Sequence, residues 1–453
     1  MIAFASTNRS APEVPLAQAL LQGQAPDRGL YMPRLLPPFE PGLLRRARDL
    51  SYPELATEVL WPYVEGTFPR DVLADLCADA YTYDVPLEHV TGRAHVMRLD
   101  RGPTASFKDF AARFMGRALG RLVRERAKDL LILTATSGDT GSAVASAFLG
   151  VPGIRVLILF PVREVSDRQR KQMTTLGDNV AALALDGKFD DCQALVKRAF
   201  ADPDLAALNL SSANSINIGR LLPQSVYYVW AAARLADAGR GERVVFSVPS
   251  GNFGDMMGGM LAWRRGLPVE RLVIATNAND EVPRFVATGR YDKIEPSREC
   301  ISNAMNVGHP SNLARLVDMY GGRMDETGAL HEAPDMERMR RELFAVSIDD
   351  DATRATIGKV WREHRVMLEP HGAVGWAGLE RFHAQHPEHA GLTAISLETA
   401  HPAKFPEEVR AITGAEPPLP PSLAGLDELA ERYRPLPTEY GAFKDLLLGE
   451  YSR

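Results

Sequence analysis

The stretch Leu130-Leu131-Ile132-Leu133-Thr134-Ala135-Thr136-Ser137-Gly138-Asp139-Thr140-Gly141-Ser142 decides the fold. Its apolar start lacks alternation, as in a strand buried on both faces. The turn behind it, rich in glycine and hydroxyls, leads into a pattern of helical length, Gly141 to Leu149. Outward from there the same grammar repeats. Ile154 to Phe160, closed by Pro161, and Val180 to Leu185 are further apolar runs, with the helical pattern Ser166 to Leu176 between them. Val244 to Val248, Leu272 to Ala275 and Thr393 to Leu397 continue the series. Strands of this kind separated by helices predict parallel sheets covered on both faces, an α/β fold. The units outnumber what one sheet needs, so two α/β domains with a cleft are expected, the smaller at 128–213.

The flanks read differently. Residues 1–95 mix turns with short helical patterns, Pro15 to Leu21 and Tyr52 to Val64, the latter entered through Ser51 as a cap. Asp27-Arg28-Gly29 is a turn into a short strand from Leu30. Prolines crowd residues 412–437, which predicts an ordered tail wrapping the body or an extended linker. The expected division is therefore 1–95, then 96–127 with 214–411 as the large α/β domain, 128–213 as the small one, and 412–453 as a tail.

Composition narrows the function. The chain has 453 residues, 45% hydrophobic and 24% charged, which suits a globular protein of several domains. Lys+Arg 52 against Asp+Glu 58 leaves a net charge of −6, which argues against nucleic acid or an anionic membrane as partner. An anionic ligand must then be gripped by local groups. The cysteines Cys77, Cys192 and Cys300 are scattered, which fits a reducing compartment. There is no signal-peptide pattern and no membrane-length apolar run, so a cytoplasmic protein is expected. Histidine, cysteine and carboxylate spacings match no metal cage, and no metal is assigned.

Five segments carry polar chemistry. In Gly102-Pro103-Thr104-Ala105-Ser106-Phe107-Lys108-Asp109, Ser106 reads as a helix cap and Asp109 as its capping-box partner. Lys108 then lies in a first helical turn, off the apolar stripe Phe107, Phe110 and Phe114. A helix N-terminus and burial both disfavour its protonated form, and a free lysine amine can form a Schiff base. The loop Thr136 to Ser142 and the loop Ser250-Gly251-Asn252-Phe253-Gly254-Asp255 each join a strand to a helix and suit an anion. Neither is a triphosphate or dinucleotide fingerprint. The run Asn214-Ser215-Ile216-Asn217-Ile218-Gly219-Arg220 offers donors and a guanidinium for a phosphate or carboxylate. Thr399, at the C-terminal edge of a strand, points where ligands bind in open sheets. Each segment has a plainer reading, such as a solvated lysine, a βα turn or a capped loop. Their combination, an imine-forming lysine with up to three anion cradles, suits pyridoxal phosphate and a phosphorylated amino acid.

The motifs GPTASFKDFAARFM, TATSGDTGSA, NSINIGRLLPQ, VPSGNFGD, EPHGAVG and TAHPAKFPEEV, with STNRSAPEVPLAQALLQGQAPDRGLYMP at the start, resemble the threonine synthases. These are fold-type II pyridoxal-phosphate enzymes, related to the tryptophan synthase β subunit. The resemblance implies that Lys108 holds the cofactor covalently, that Gly251, Asn252, Phe253 and Gly254 hold its phosphate, and that Thr399 meets its pyridine nitrogen. Asp139 matches a position near the ring hydroxyl, where many relatives have asparagine. Thr136, Ser137 and Thr140 would bind the substrate carboxylate and part of its phosphate; Asn214, Ser215 and Arg220, with Asn217 nearby, would bind the substrate phosphate. The implied reaction converts O-phospho-L-homoserine and water to L-threonine and phosphate, by a monomer or homodimer with only a small-molecule partner. A phospho-lyase giving 2-oxobutyrate and a non-catalytic paralogue that binds a phosphorylated metabolite are the other readings.

Overall fold

The computed structural model describes residues 1–126, 129–237 and 241–452. The expected domain boundary at 127 and 128, and the final residue of the tail, lie outside the described residues.

Two open sheets carry the molecule. The larger runs in the order Leu343–Ser347, Val269–Thr276, Val244–Pro249, Thr393–Glu398, Ala94–Arg98, Leu87–Thr91. Its strands are parallel except for the last pair, an antiparallel hairpin at one edge. The smaller sheet, Arg434–Leu436, Val180–Leu185, Ile154–Pro161, Leu130–Ala135, Leu210–Ser212, is parallel throughout. The central strands Leu130–Ala135 and Val244–Pro249 are buried at every position, as their unbroken apolar runs predict. The N-terminal segment adds a third, antiparallel sheet of Ala3–Ser6, Val14–Pro15 and Tyr31–Pro33. Tyr31–Pro33 is the short strand expected from Leu30, and the other two are too short to stand out in the sequence.

The predicted helices fall where the pattern puts them. Tyr52–Val64 starts at Ser51, whose hydroxyl and Glu54 form a reciprocal capping box. Asp167–Thr174 is capped in the same way by Ser166 and Gln169. The helix Lys108–Arg126 buries Phe110, Phe114, Ala118 and Leu122 along one stripe.

Its start differs from expectation. Ser106 does not cap the helix, because it pairs in an antiparallel bridge with Ala400 and its buried hydroxyl has no partner. The Asp109 carboxylate accepts instead from the backbone N–H of Thr104 at 2.9 Å and its hydroxyl at 2.7 Å. Phe107 N–H donates to the carbonyl of Thr399 at 2.9 Å, so Lys108 and Thr399 are held side by side although far apart in sequence.

Of the two expectations for the proline-rich tail, the ordered one fits, and it is not an extended linker. Residues Arg434–Leu436 pair in parallel with Leu183 to Leu185. The helix Tyr440–Tyr451 plants Phe443 and Leu447 in the core of the smaller lobe. The physical reason is an edge to cover: the strand Val180–Leu185 would otherwise expose unpaired backbone groups.

Candidate active site

All the chemistry-bearing loops leave the C-terminal ends of parallel strands. Ser137 to Thr140 follow Leu130–Ala135, Gly251 to Gly254 follow Val244–Pro249, and Thr399 follows Thr393–Glu398. The open end of a parallel sheet is where such folds bind ligands. Here the ends of two sheets meet around a cavity of about 70 Å³, with Lys108, Arg220 and Thr399 in its walls. Ser137, Asp139 and Thr140 line it from the smaller lobe. Asn214, Ser215, Asn252 and the glycine loop complete it. It adjoins an outer cavity of about 850 Å³ at Asn214, Ser215 and Asn252, and the N-terminal segment contributes Thr7, Asn8 and Arg28 to that outer wall.

The loop at Gly251 is built for an anion. The helix Gly254–Arg264 begins without a side-chain cap, and Phe253 before it takes a left-handed turn at φ 63°. Uncapped first-turn N–H groups and the helix dipole attract a phosphate. Gly251 is required by space: a Cβ there would sit 2.9 Å from Met305 Cα and 3.0 Å from the Ala304 carbonyl. Asn252 is pinned, its carbonyl accepting from Asn312 at 2.8 Å and its side-chain oxygen from the Ser311 N–H at 3.2 Å.

The charges in the cavity are shifted in ways that suit imine chemistry. Burial pushes the Lys108 amine below its ordinary range; Asp139 opposes this, and Lys404 and Arg220 add to it. A lysine biased toward its free base is a nucleophile and a proton acceptor. Burial would raise Asp139, but Lys404 first and Lys108 next outweigh it and hold this carboxyl well below the usual carboxylate range. Burial pushes Asp255 up to about 7, against the Met256 N–H and Lys108. Burial also pulls the Arg220 guanidinium down to about 10, with Asp109 opposing. Arg220 Nε and the side-chain oxygen of Asn214 are buried without a hydrogen-bond partner in the protein. Among the described residues no ion pair neutralises Arg220, so its charge is available to a ligand.

Two predicted residues stand apart. Thr136 does not line the inner cavity; its hydroxyl oxygen accepts from the N–H groups of Gly138 at 2.9 Å and Gly141 at 2.8 Å. Asn217 is fully buried in a turn, its amide donating to the carbonyls of Leu20 at 2.8 Å and Ser212 at 3.0 Å. Both shape loops that others use. Conversely, Asp255, His371 and Lys404 belong to the site although sequence reasoning gave them no role. His371 lines the cavity, held by Glu369 at 2.6 Å and accepting from the Ala304 N–H at 3.0 Å. Lys404 is fully buried against Asp139. Its place in the quoted TAHPAKF motif was the one available signal.

Comparison with known proteins places this geometry. A family model described as pyridoxal-phosphate dependent enzyme matches residues 85–395. Models of the threonine synthase N terminus and C-terminal region match 3–81 and 372–447. The chain is 40% identical to threonine synthase of Serratia marcescens over 438 residues, covering 96% of this chain and 97% of that protein. The chain belongs to the threonine synthase family. Among solved structures, Escherichia coli threonine synthase superposes with a TM-score of 0.89 at 37% identity, covering 99% of each chain. A threonine synthase from Brucella melitensis with pyridoxal phosphate bound superposes with 0.90 at 36% identity over 100% of both. The threonine synthase fold is thus the fold-type II architecture expected from the motifs. The N-terminal family segment is the one that walls the outer cavity, and the C-terminal one includes the tail strand and most of the tail helix. No helix among the described residues is long and apolar enough to cross a membrane.

Proposed function

We propose that the chain makes L-threonine and phosphate from O-phospho-L-homoserine and water, with each cavity residue in a distinct role. Pyridoxal phosphate, when bound, supplies the aldehyde that Lys108 takes up and a ring that draws electrons from the substrate Cα. Gly251 to Gly254 hold its phosphate on open backbone N–H groups. Thr399 meets the pyridine nitrogen with a neutral hydroxyl, which does not enforce protonation there as a carboxylate would. Lys108, biased toward its free base, removes the Cα proton and returns protons later. Ser137 and Thr140 orient the substrate carboxylate. Asn214, Ser215 and Arg220 grip the departing phosphate, and a grip that tightens as the leaving group separates accelerates the elimination. Thr136 and Asn217 act one step removed, by fixing the backbones of those loops.

The observation that carries this reading is the shared cavity of Lys108, the uncapped Gly251 loop and the unneutralised Arg220. We place the reaction in the cytoplasm, in a monomer or homodimer. The test is incubation with O-phospho-L-homoserine, with phosphate release measured and the amino-acid product separated by chromatography. Threonine in step with phosphate is the expected result. Phosphate with 2-oxobutyrate identifies a phospho-lyase instead, and binding without turnover a non-catalytic paralogue.

A further inference from the structure

A second lysine sits behind the first. Lys404 has no solvent exposure, and its ammonium lies 2.5 Å from Asp139 Oδ1 and donates to the Thr104 carbonyl at 3.0 Å. Gln169 also donates to Asp139 Oδ1, at 3.0 Å. The pair joins the two lobes, since Lys404 follows the strand Thr393–Glu398 and Asp139 opens the helix Asp139–Phe148. Burying two charges is costly unless they meet at close range, and such a pair adds little net stability over an apolar one. Its worth is then sought in what the carboxylate faces. Asp139 lines the cavity beside Lys108.

We propose that Lys404 is a positioning residue: it keeps Asp139 a carboxylate at the cavity wall, and through that carboxylate sets how tightly the Lys108 nitrogen holds its proton. The inference rests on the reading of Lys108 as the cofactor lysine. The charged groups around the Lys108 nitrogen are Asp139 and Lys404, then Arg220 from the turn Ile218–Arg220 and Asp255 from the helix Gly254–Arg264. Asp139 in turn faces Lys404, Lys108 and His371. Asp139 acts on Lys108 more strongly than Lys404 does, and with the opposite sign. Removing Lys404 leaves a buried carboxylate without its closest counterion, and such a group neutralises itself by taking up a proton. That negative charge is then lost, and the Lys108 nitrogen releases its proton more easily. Loss of the cation by itself has the reverse effect, so the two outcomes differ in direction.

The experiment is a pH titration of the visible band of the protein loaded with pyridoxal phosphate. Asp139→Asn should move the midpoint down by about one pH unit or more. Lys404→Met should move it in the same direction, while Lys404→Arg, which keeps the charge, should leave it near the parent value. If Lys404→Met fails to fold, Asp139→Asn/Lys404→Met removes both charges; it should titrate below the parent but no lower than Asp139→Asn, because the direct repulsion by Lys404 is gone as well. A midpoint that is unmoved or moves up in Lys404→Met, or a double variant that titrates below Asp139→Asn or at or above the parent, overturns the proposal. A parent protein with no visible band after addition of pyridoxal phosphate overturns the cofactor-lysine reading as well, which separates the two failures.

Discussion

The two glycine loops of the site, Ser137 to Gly141 and Ser250 to Gly254, share one local grammar of strand, glycine turn and helix. The fold uses them differently. In the first, Thr136 turns back and takes the N–H groups of Gly138 and Gly141. Ser137, Asp139 and Thr140 of this loop line the cavity. In the second no residue ahead of the helix Gly254–Arg264 caps it, and the Met256 N–H goes to the Asp255 carboxylate within the helix, at 2.9 Å. The difference teaches that a glycine loop before a helix suits an anion to the extent that the residues ahead of the helix leave its first N–H groups free.

Four variants break or sharpen that contrast, in falling order of effect. Lys108→Ala removes the proposed cofactor lysine; turnover should fall by roughly 10³-fold or more, with the fold retained and no visible imine band. Threonine formation that persists would take Lys108 out of the role. Gly251→Ala forces a Cβ against the backbone of Ala304 and Met305, neither of which is a flexible side-chain end. It should weaken pyridoxal phosphate binding by roughly tenfold or more, about 1.4 kcal/mol, measured by equilibrium titration of the visible band. An unchanged affinity would mean the second loop does not hold the cofactor phosphate.

Asp255→Asn tests the charge inside the second loop. A carboxyl held at about 7 in the fold, but near its ordinary value of about 4 when unfolded, binds its proton more tightly in the native state. Its burial therefore costs stability as pH rises from about 4 through about 7, and the cost is complete above that. The variant should gain on the parent by a few kcal/mol at pH 8 and by little at pH 4, read as thermal midpoints at both pH values. Equal gains at the two would show that Asp255 is ionised throughout. Thr136→Ala, at the first loop, removes a cap: a loss of about 1 kcal/mol in stability is expected, with cofactor affinity kept. A loss of affinity without a loss of stability would return Thr136 to the ligand site.

Much of this site is legible in the sequence because local rules govern it. Lys108 stands at a helix start that glycine, proline and the apolar stripe mark out. The loop at Gly251 to Gly254 needs a left-handed turn and close backbone approach, which few residue types allow. What failed was also local in form. Ser106 has the residue type and spacing of a cap, but a bridge to Ala400 claims its backbone, and Asp109 is taken by Thr104. Asn217 has the chemistry of a ligand group, yet a turn consumes both its ends.

Residue order alone determined the alternation of buried strands and helices, the lysine, and the two loops, because periodicity and turn chemistry act over a few residues. Tertiary structure decided everything that depends on distance across the chain. It set Thr399 beside Lys108 through a backbone bond, buried Lys404 against Asp139, and drew the proline-rich tail into the smaller sheet. Burial and charge proximity are properties of packed neighbours, and packing is fixed only when the sheets close on one another.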